Sequence, residues 1–195
     1  MSRLSPRPRT LAPKRRQRRR AGGFTLIEAA LTTVIVGTGV LAIVAAQQAY
    51  HMKNNWAGRT TTGMLLANEL RELTRDLPLH DPITGQANYG PELDEASVVA
   101  YDDLDDFAGV VSAGTGQGTT FSPPINALKQ QITDLDRWSQ VVTVENVLPD
   151  YIDAAFSQPM GSTSVMRVTV AVLYTDPESG AQETITTLTW VEVEE

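Results

Sequence analysis

The chain has 195 residues, no cysteine, and a net charge of −7 that conceals a sharp division: nine of its 16 basic residues and none of its 23 acids fall in residues 1–23, which leaves the remainder at −16. So acidic a remainder excludes broad contact with nucleic-acid phosphates, and no local basic patch stands out in it. Without cysteine there is no disulfide, and the length allows one globular domain beside an anchor, held together by its core alone.

Residues 1–23 carry Arg3, Arg7, Arg9, Lys14, Arg15, Arg16, Arg18, Arg19 and Arg20, interrupted by Pro6, Pro8 and Pro13. This composition does not form a packed core and reads as a targeting leader. Gly23 then opens the stretch Phe24-Thr25-Leu26-Ile27-Glu28, and the residues from Ala29 to Ala46 are all apolar, small or hydroxylic. As a helix this run is about 27 Å long, close to the hydrocarbon thickness of a bilayer. Positive charge ahead of the first apolar segment holds that end in the cytoplasm and places the C-terminal part outside. Glu28 stands out, because a carboxylate inside an apolar helix costs a few kcal/mol on insertion scales and needs a partner or a route back to the headgroups.

An arginine-rich leader, then Gly23-Phe24-Thr25-Leu26-Ile27-Glu28, then an apolar helix resembles the type IV prepilin family, which includes type IV pilins, minor pilins and the pseudopilins of type II secretion. The resemblance covers the junction and the helix after it, not the globular remainder. It implies that prepilin peptidase cuts between Gly23 and Phe24, that the new N-terminus at Phe24 is methylated, and that Glu28 pairs with the Phe24 amine of its own or a neighbouring subunit. Glycine, phenylalanine and a lone glutamate in fixed order at a helix start make the motif a strong one. The partners implied are the peptidase, other pilin or pseudopilin subunits and the inner membrane, with no nucleic acid. Many major pilins close a C-terminal loop with a disulfide; this chain departs from them, which favours a minor pilin or pseudopilin.

Past the membrane exit, where Tyr50 and Lys53 suit the interface, Leu66, Leu70, Leu73 and Leu77 share one helical face, and Glu69, Glu72, Arg75 and Asp76 lie on a solvated one. The helix is expected over 24–77, ended by Pro78, with its transmembrane part over about 26–46. Gly37, Gly39, Gly58 and Gly63 weaken it by about 1 kcal/mol each relative to alanine, and Gly58 with Thr60, Thr61 and Thr62 is the expected break. Gly37 and Gly39 equally suit close helix approach in a filament.

Residues 78–126 read as loop, punctuated by proline and glycine. Glu92, Asp94, Glu95, Asp102, Asp103, Asp105 and Asp106 crowd together there. Acidic loops supply oxygen ligands to calcium, and Asp102, Asp103, Asp105 and Asp106 are the candidate ligands; the spacing is not that of an EF-hand, such loops also occur simply solvated, and no cofactor is assigned. Tyr101 to Phe107 also resembles a short motif of some minor pilin-like proteins. From Arg137 the period changes to two: Trp138 to Val147, Val165 to Tyr174 and Thr184 to Val193 are expected strands, the last two joined by a hairpin loop over 175–182. Met166, Val168, Val170, Val172 and Tyr174 face the helix in this reading, and Trp138 and Trp190 belong to the core.

The expected fold class is therefore α+β and pilin-like: a basic leader 1–23, a long N-terminal helix 24–77, and an extracytoplasmic globular domain 78–195 whose antiparallel sheet packs on that helix. No catalytic residue is assigned, and His51 and His80 carry no recognisable triad or metal signature, so the chain is read as a substrate of the peptidase and not as an enzyme. Two other readings remain open: an exported binding module released after Val44-Ala45-Ala46 by a conventional signal peptidase, with Arg19-Arg20 as a faint twin-arginine signal, and an uncleaved membrane-anchored interaction protein.

Overall fold

The computed structural model describes residues 23–85, 88–153 and 155–194, so the expected leader lies outside the described residues except for Gly23. Among these residues one α-helix, α1, spans Leu26–Thr74. Thr25 caps it: its Oγ1 accepts the Glu28 amide at 3.3 Å, satisfying one of the orphan donors of the first turn. Thr25 and Glu28 have capping-box spacing, but only the threonine half of the exchange is formed among the described residues.

The first part of α1, through Tyr50, falls in one compact unit of the chain, and His51 onward in another. In the first part every described residue is exposed. Its threonines turn their hydroxyls onto their own backbone, Thr32 onto the Glu28 carbonyl at 2.7 Å, Thr33 onto Ala29 at 2.9 Å and Thr38 onto Ile35 at 3.0 Å. Their polar groups are thus satisfied within the helix, as an apolar solvent requires. This helix is long and apolar enough to cross a membrane.

The expected break at Gly58 does not occur; α1 runs through it, with Thr60 and Thr61 donating to the Trp56 and Ala57 carbonyls at 3.0 Å each. Nor does the helix reach Leu77. It stops at Thr74, whose Oγ1 donates to the Leu70 carbonyl at 3.0 Å, and a turn closed by the Leu77 amide on the Thr74 carbonyl follows. Pro78 acts through its predecessor, which it disfavours in helical conformation, and its own carbonyl accepts the Leu104 amide at 2.9 Å.

Six strands follow. A small hairpin, β1 (Val111–Ser112) with β2 (Thr115–Gly116), precedes an antiparallel sheet of β3 (Thr119–Phe121), β4 (Trp138–Asn146), β5 (Val165–Thr175) and β6 (Gln182–Val193), in that spatial order. The three long strands match the period-two reading to within two residues at each end; β1, β2 and β3 are short and carry too few residues for a period. The hairpin between β5 and β6 is built on Asp176, whose Oδ1 accepts the Glu178 and Ser179 amides at 3.0 and 2.9 Å, with Gly180 at φ 68° closing it. Those amide bonds, Ser179 first, hold the Asp176 carboxyl below its usual range.

One core unites helix and sheet. Leu66, Ala67, Leu70 and Leu73 of α1 are buried with Val142 and Val144 of β4, Met166, Val168, Val170 and Val172 of β5, and Trp190 of β6. Leu77 is only partly buried. Gln140 crosses this interface with no exposed surface: its Nε2 donates to the Leu66 carbonyl at 2.8 Å and its Oε1 accepts the Ile125 amide at 2.8 Å. At the one register shift between β5 and β6, Ile185 is the residue without a partner on β5. It lies against Gly63, where an added Cβ would come to 3.0 Å from Ile185 Cγ2 and 3.2 Å from Thr186 Cγ2. Gly63 therefore serves close approach, whereas a Cβ at Gly58 would meet nothing within 4 Å. Glu69 is not part of a purely solvated face: half-buried, it accepts the Ala127 amide at 2.7 Å.

Leu70→Ala is expected to destabilise the folded chain by about 3 kcal/mol in denaturant unfolding followed by tryptophan fluorescence. Gly58→Ala should stabilise it by up to about 1 kcal/mol, a gain that Gly63→Ala forfeits by pressing on Ile185 and Thr186.

Candidate functional site

At the head of α1, Gly23 and Phe24 are exposed and lie outside the helix, and Phe24 leaves 69 % of its surface uncovered. Glu28 lies in the first helical turn, exposed, and forms no ion pair among the described residues. The turn that holds it is fixed by Thr25, so the carboxylate is presented by a rigid element one turn inside the helix, where the helix dipole favours negative charge. Below it Leu31, Val34, Ile35 and Leu41 project from the helix with more than half their surface open. Among the described residues the head of α1 thus presents an exposed Gly23-Phe24 step, one acid and an apolar helix on which no described residue packs.

The acidic loop presents a different picture from a solvated one. Leu104, Phe107 and Ala108 are fully buried in the main core and draw the intervening 3₁₀ turn, Asp105–Ala108, in with them. Asp103, Asp105 and Asp106 are consequently buried, and Asp102 alone of the four candidate ligands is exposed. Asp103 and Asp106 cap each other: Asp103 Oδ1 accepts the Asp106 amide at 3.0 Å, and Asp106 Oδ2 accepts the amides of Asp102 and Asp103 at 3.0 and 3.4 Å.

Asp105 is removed from the candidate ligands. Its Oδ2 lies 2.6 Å from His80 Nδ1 and its Oδ1 accepts the Gly90 amide at 2.6 Å. Gly90 holds φ 79°, and a Cβ there would fall 2.3 Å from the Gly109 carbonyl oxygen, so only glycine passes. His80 is thus not an ordinary loop histidine but half of a buried pair, with Tyr89 packed edge-on against its ring. The hydrogen bond to Asp105 raises its pKa against the lowering effect of burial. No hydroxyl bonds to its ring among the described residues, and the buried pair ties the loop together.

Asp106, Asp102 and Asp103 bring carboxylate oxygens within 4.8 Å of one another, and so do Asp106, Glu92 and Glu95. Glu92 and Glu95 are contributions that spacing alone did not single out, since ten or more residues of irregular loop separate them from Asp106; the crowding of seven acids was the only signal. Burial first, and neighbouring carboxylates second, push Asp103 up to about 7. Burial and the contact with Glu95 push Glu92 up to about 7 and Asp106 up to about 8. Burial would raise Glu95 too, but its contact with the Asp106 carboxyl, the Glu92 amide bond and the Glu92 carboxyl beside it outweigh burial and hold that carboxyl low. Family models, curated proteins and solved structures yield no match to this chain.

The raised groups bind their protons more tightly in the folded state, so their stabilisation is whole below about pH 4 and is lost as pH rises through 7 to 8. His80 acts with the same sign and Glu95 with the opposite one. In the presence of a chelator, the thermal midpoint of the chain is therefore expected to fall as the buffer is taken from about pH 5 to about pH 8, measured by circular dichroism.

Proposed function

We propose that this chain is a prepilin-like, single-pass inner-membrane protein, N-terminus in the cytoplasm and globular domain outside, whose processed form is a minor pilin or pseudopilin subunit of a type IV pilus or secretion filament. The observation that carries this reading is the head of α1: an exposed Gly23-Phe24 junction, a single acid one turn into the helix, and an apolar run that none of the described residues covers. The basic leader ahead of it and the α+β domain behind it fit the same layout.

Cleavage between Gly23 and Phe24 creates an amine near Glu28. In hydrocarbon an unmatched charge is costly, so a subunit whose carboxylate meets the Phe24 amine of a neighbour is preferred to one set out of register. The apolar helix faces leave lipid for one another, and Gly37 and Gly39, where an added Cβ would meet nothing within 4 Å, let two backbones approach. Assembly by this route uses no catalysis by the chain itself.

Mass spectrometry of the native N-terminal peptide is expected to find methylated Phe24; a start at Gln47 or at Met1 would instead favour an exported module or an uncleaved anchor. Glu28→Ala should leave membrane insertion unchanged and lower filament incorporation about tenfold or more, the equivalent of at least 1.4 kcal/mol of pairing energy, read by immunoblot of sheared filaments against membranes.

A further inference from the structure

Between Glu28 and Glu69 the chain has no acid, and the cations Lys53 and Arg59 fall in that interval. Between Arg137 and Arg167 it has no lysine or arginine, and the acids Glu145, Asp150 and Asp153 fall there. Each stretch also carries exposed apolar surface. On α1 the stripe that packs on the sheet, Gly63, Leu66 and Leu70, continues toward the N-terminus at the same helical spacing through Arg59, Trp56 and Met52. The Arg59 guanidinium lies 4.1 Å from the centroid of the Tyr174 ring near the end of β5, and beyond it Met52 and Trp56 stand exposed in a groove with Lys53 and Asn55. At the other end of the sheet the loop after β4 exposes Leu148, Tyr151, Ile152 and Phe156. Hydrogen bonds fix this loop. The Gln158 amide closes its base on the Asn146 carbonyl at 2.7 Å, the Tyr151 amide turns back onto the Leu148 carbonyl at 2.9 Å, and Arg167 Nη1 donates to the Ile152 carbonyl at 3.1 Å. Lys53, Arg59, Asp150 and Asp153 form no ion pair among the described residues.

We propose that these two surfaces are the halves of one head-to-tail contact: the 148–156 loop of a second copy of this chain seats on the Met52 and Trp56 groove, with its Asp150 and Asp153 facing Lys53 and Arg59. The inference rests on the filament reading above and adds a contact between globular domains. Charge selects the occupant. The groove is cationic on a remainder that is strongly acidic, the loop is acidic without a cation, and each surrounds aromatic or sulfur-bearing side chains of the kind that anchor protein interfaces. Topology makes the contact heterologous. Tyr174 beside the groove and Arg167 beside the loop are about 23 Å apart at the ordinary strand rise, and they lie on opposite faces of β5. One copy therefore offers the loop at one end and the groove at the other. Copies inserted the same way in a membrane join in an open series and not in a closed pair. Opposite charges at each joint also offset the repulsion between domains of like net charge.

The chain has no cysteine, so introduced cysteines report on this contact alone. Full-length Trp56→Cys and Phe156→Cys chains are co-expressed in the native host and oxidised in membranes and sheared filaments. A disulfide-linked dimer is expected from the mixture and none from either chain by itself. A chain carrying both substitutions should give a ladder of dimers, trimers and longer species, because its own groove and loop are too far apart to bridge. Lys53→Glu should lower the linked fraction about fivefold or more, and Asp153→Lys in the partnering copy should restore it. Met52→Cys with Tyr151→Cys serves if Trp56→Cys does not fold. Absence of linkage with either cysteine pair overturns the proposal, as does linkage of Trp56→Cys chains to one another. A photoreactive probe attached at the Trp56→Cys position should capture a second copy; capture of phospholipid or of a different protein in its place overturns the proposal. The two readings fail separately. Methylated Phe24 without linkage sinks this contact and leaves the filament reading, whereas linkage between chains that keep Met1 supports the contact and sinks the filament reading.

Discussion

The rest of the structure depends on the contact between the leucine face of α1 and the four-stranded sheet. Leu66, Leu70 and Leu73 supply a stripe at helical spacing, and alternate residues of β4 and β5 supply the flat apolar surface that receives it. The contact is mainly apolar and would tolerate sliding. Gln140 removes that freedom, because its amide joins a helix carbonyl, the Ile125 backbone and the sheet through one buried side chain. A polar group so placed is costly if any partner is lost, and for that reason it fixes register.

A single helix therefore carries two kinds of surface. From Ala29 to Ala46 it is apolar, small or hydroxylic throughout and satisfies its threonines internally; from Gly63 to Thr74 it is amphipathic and buries one face. Glycine has a different meaning in each part. Gly37 and Gly39 have open space around them, whereas Gly63 sits under Ile185, the extra residue of a bulge. The bulge thus brings one more side chain of β6 to the helix than regular pairing would allow.

Much of this was legible in the sequence, because periodicity reports burial directly. The leucine stripe, the three long strands, the core tryptophans and the apolar run each repeat a pattern over enough residues to be read. What was not legible shares a cause: it depends on contacts distant in sequence. Helix propensity suggests a break at Gly58, but Gly58 alone does not overcome a ladder continued on both sides of it. The loop at 78–110 looks solvated by composition, yet Leu104, between Asp103 and Asp105, and Phe107, directly after Asp106, anchor it in the core and carry those three acids inward. The pairing of His80 with Asp105, and of Glu92 and Glu95 with Asp106, follows from that burial and leaves no regular spacing behind.

Among the described residues strand β6 is an outer edge of the sheet, twelve residues long and paired on one side only. So long a margin is ordinarily an invitation for another chain to stack on, and stacked margins grow without limit. Here Gln182, Glu183, four threonines and Glu192 line it, and the bulge at Ile185 bends it out of true. Two such margins laid side by side would oppose carboxylates and mismatched twist. Copies of the domain crowded together would then touch through other surfaces, and crowding need not lead to fibre.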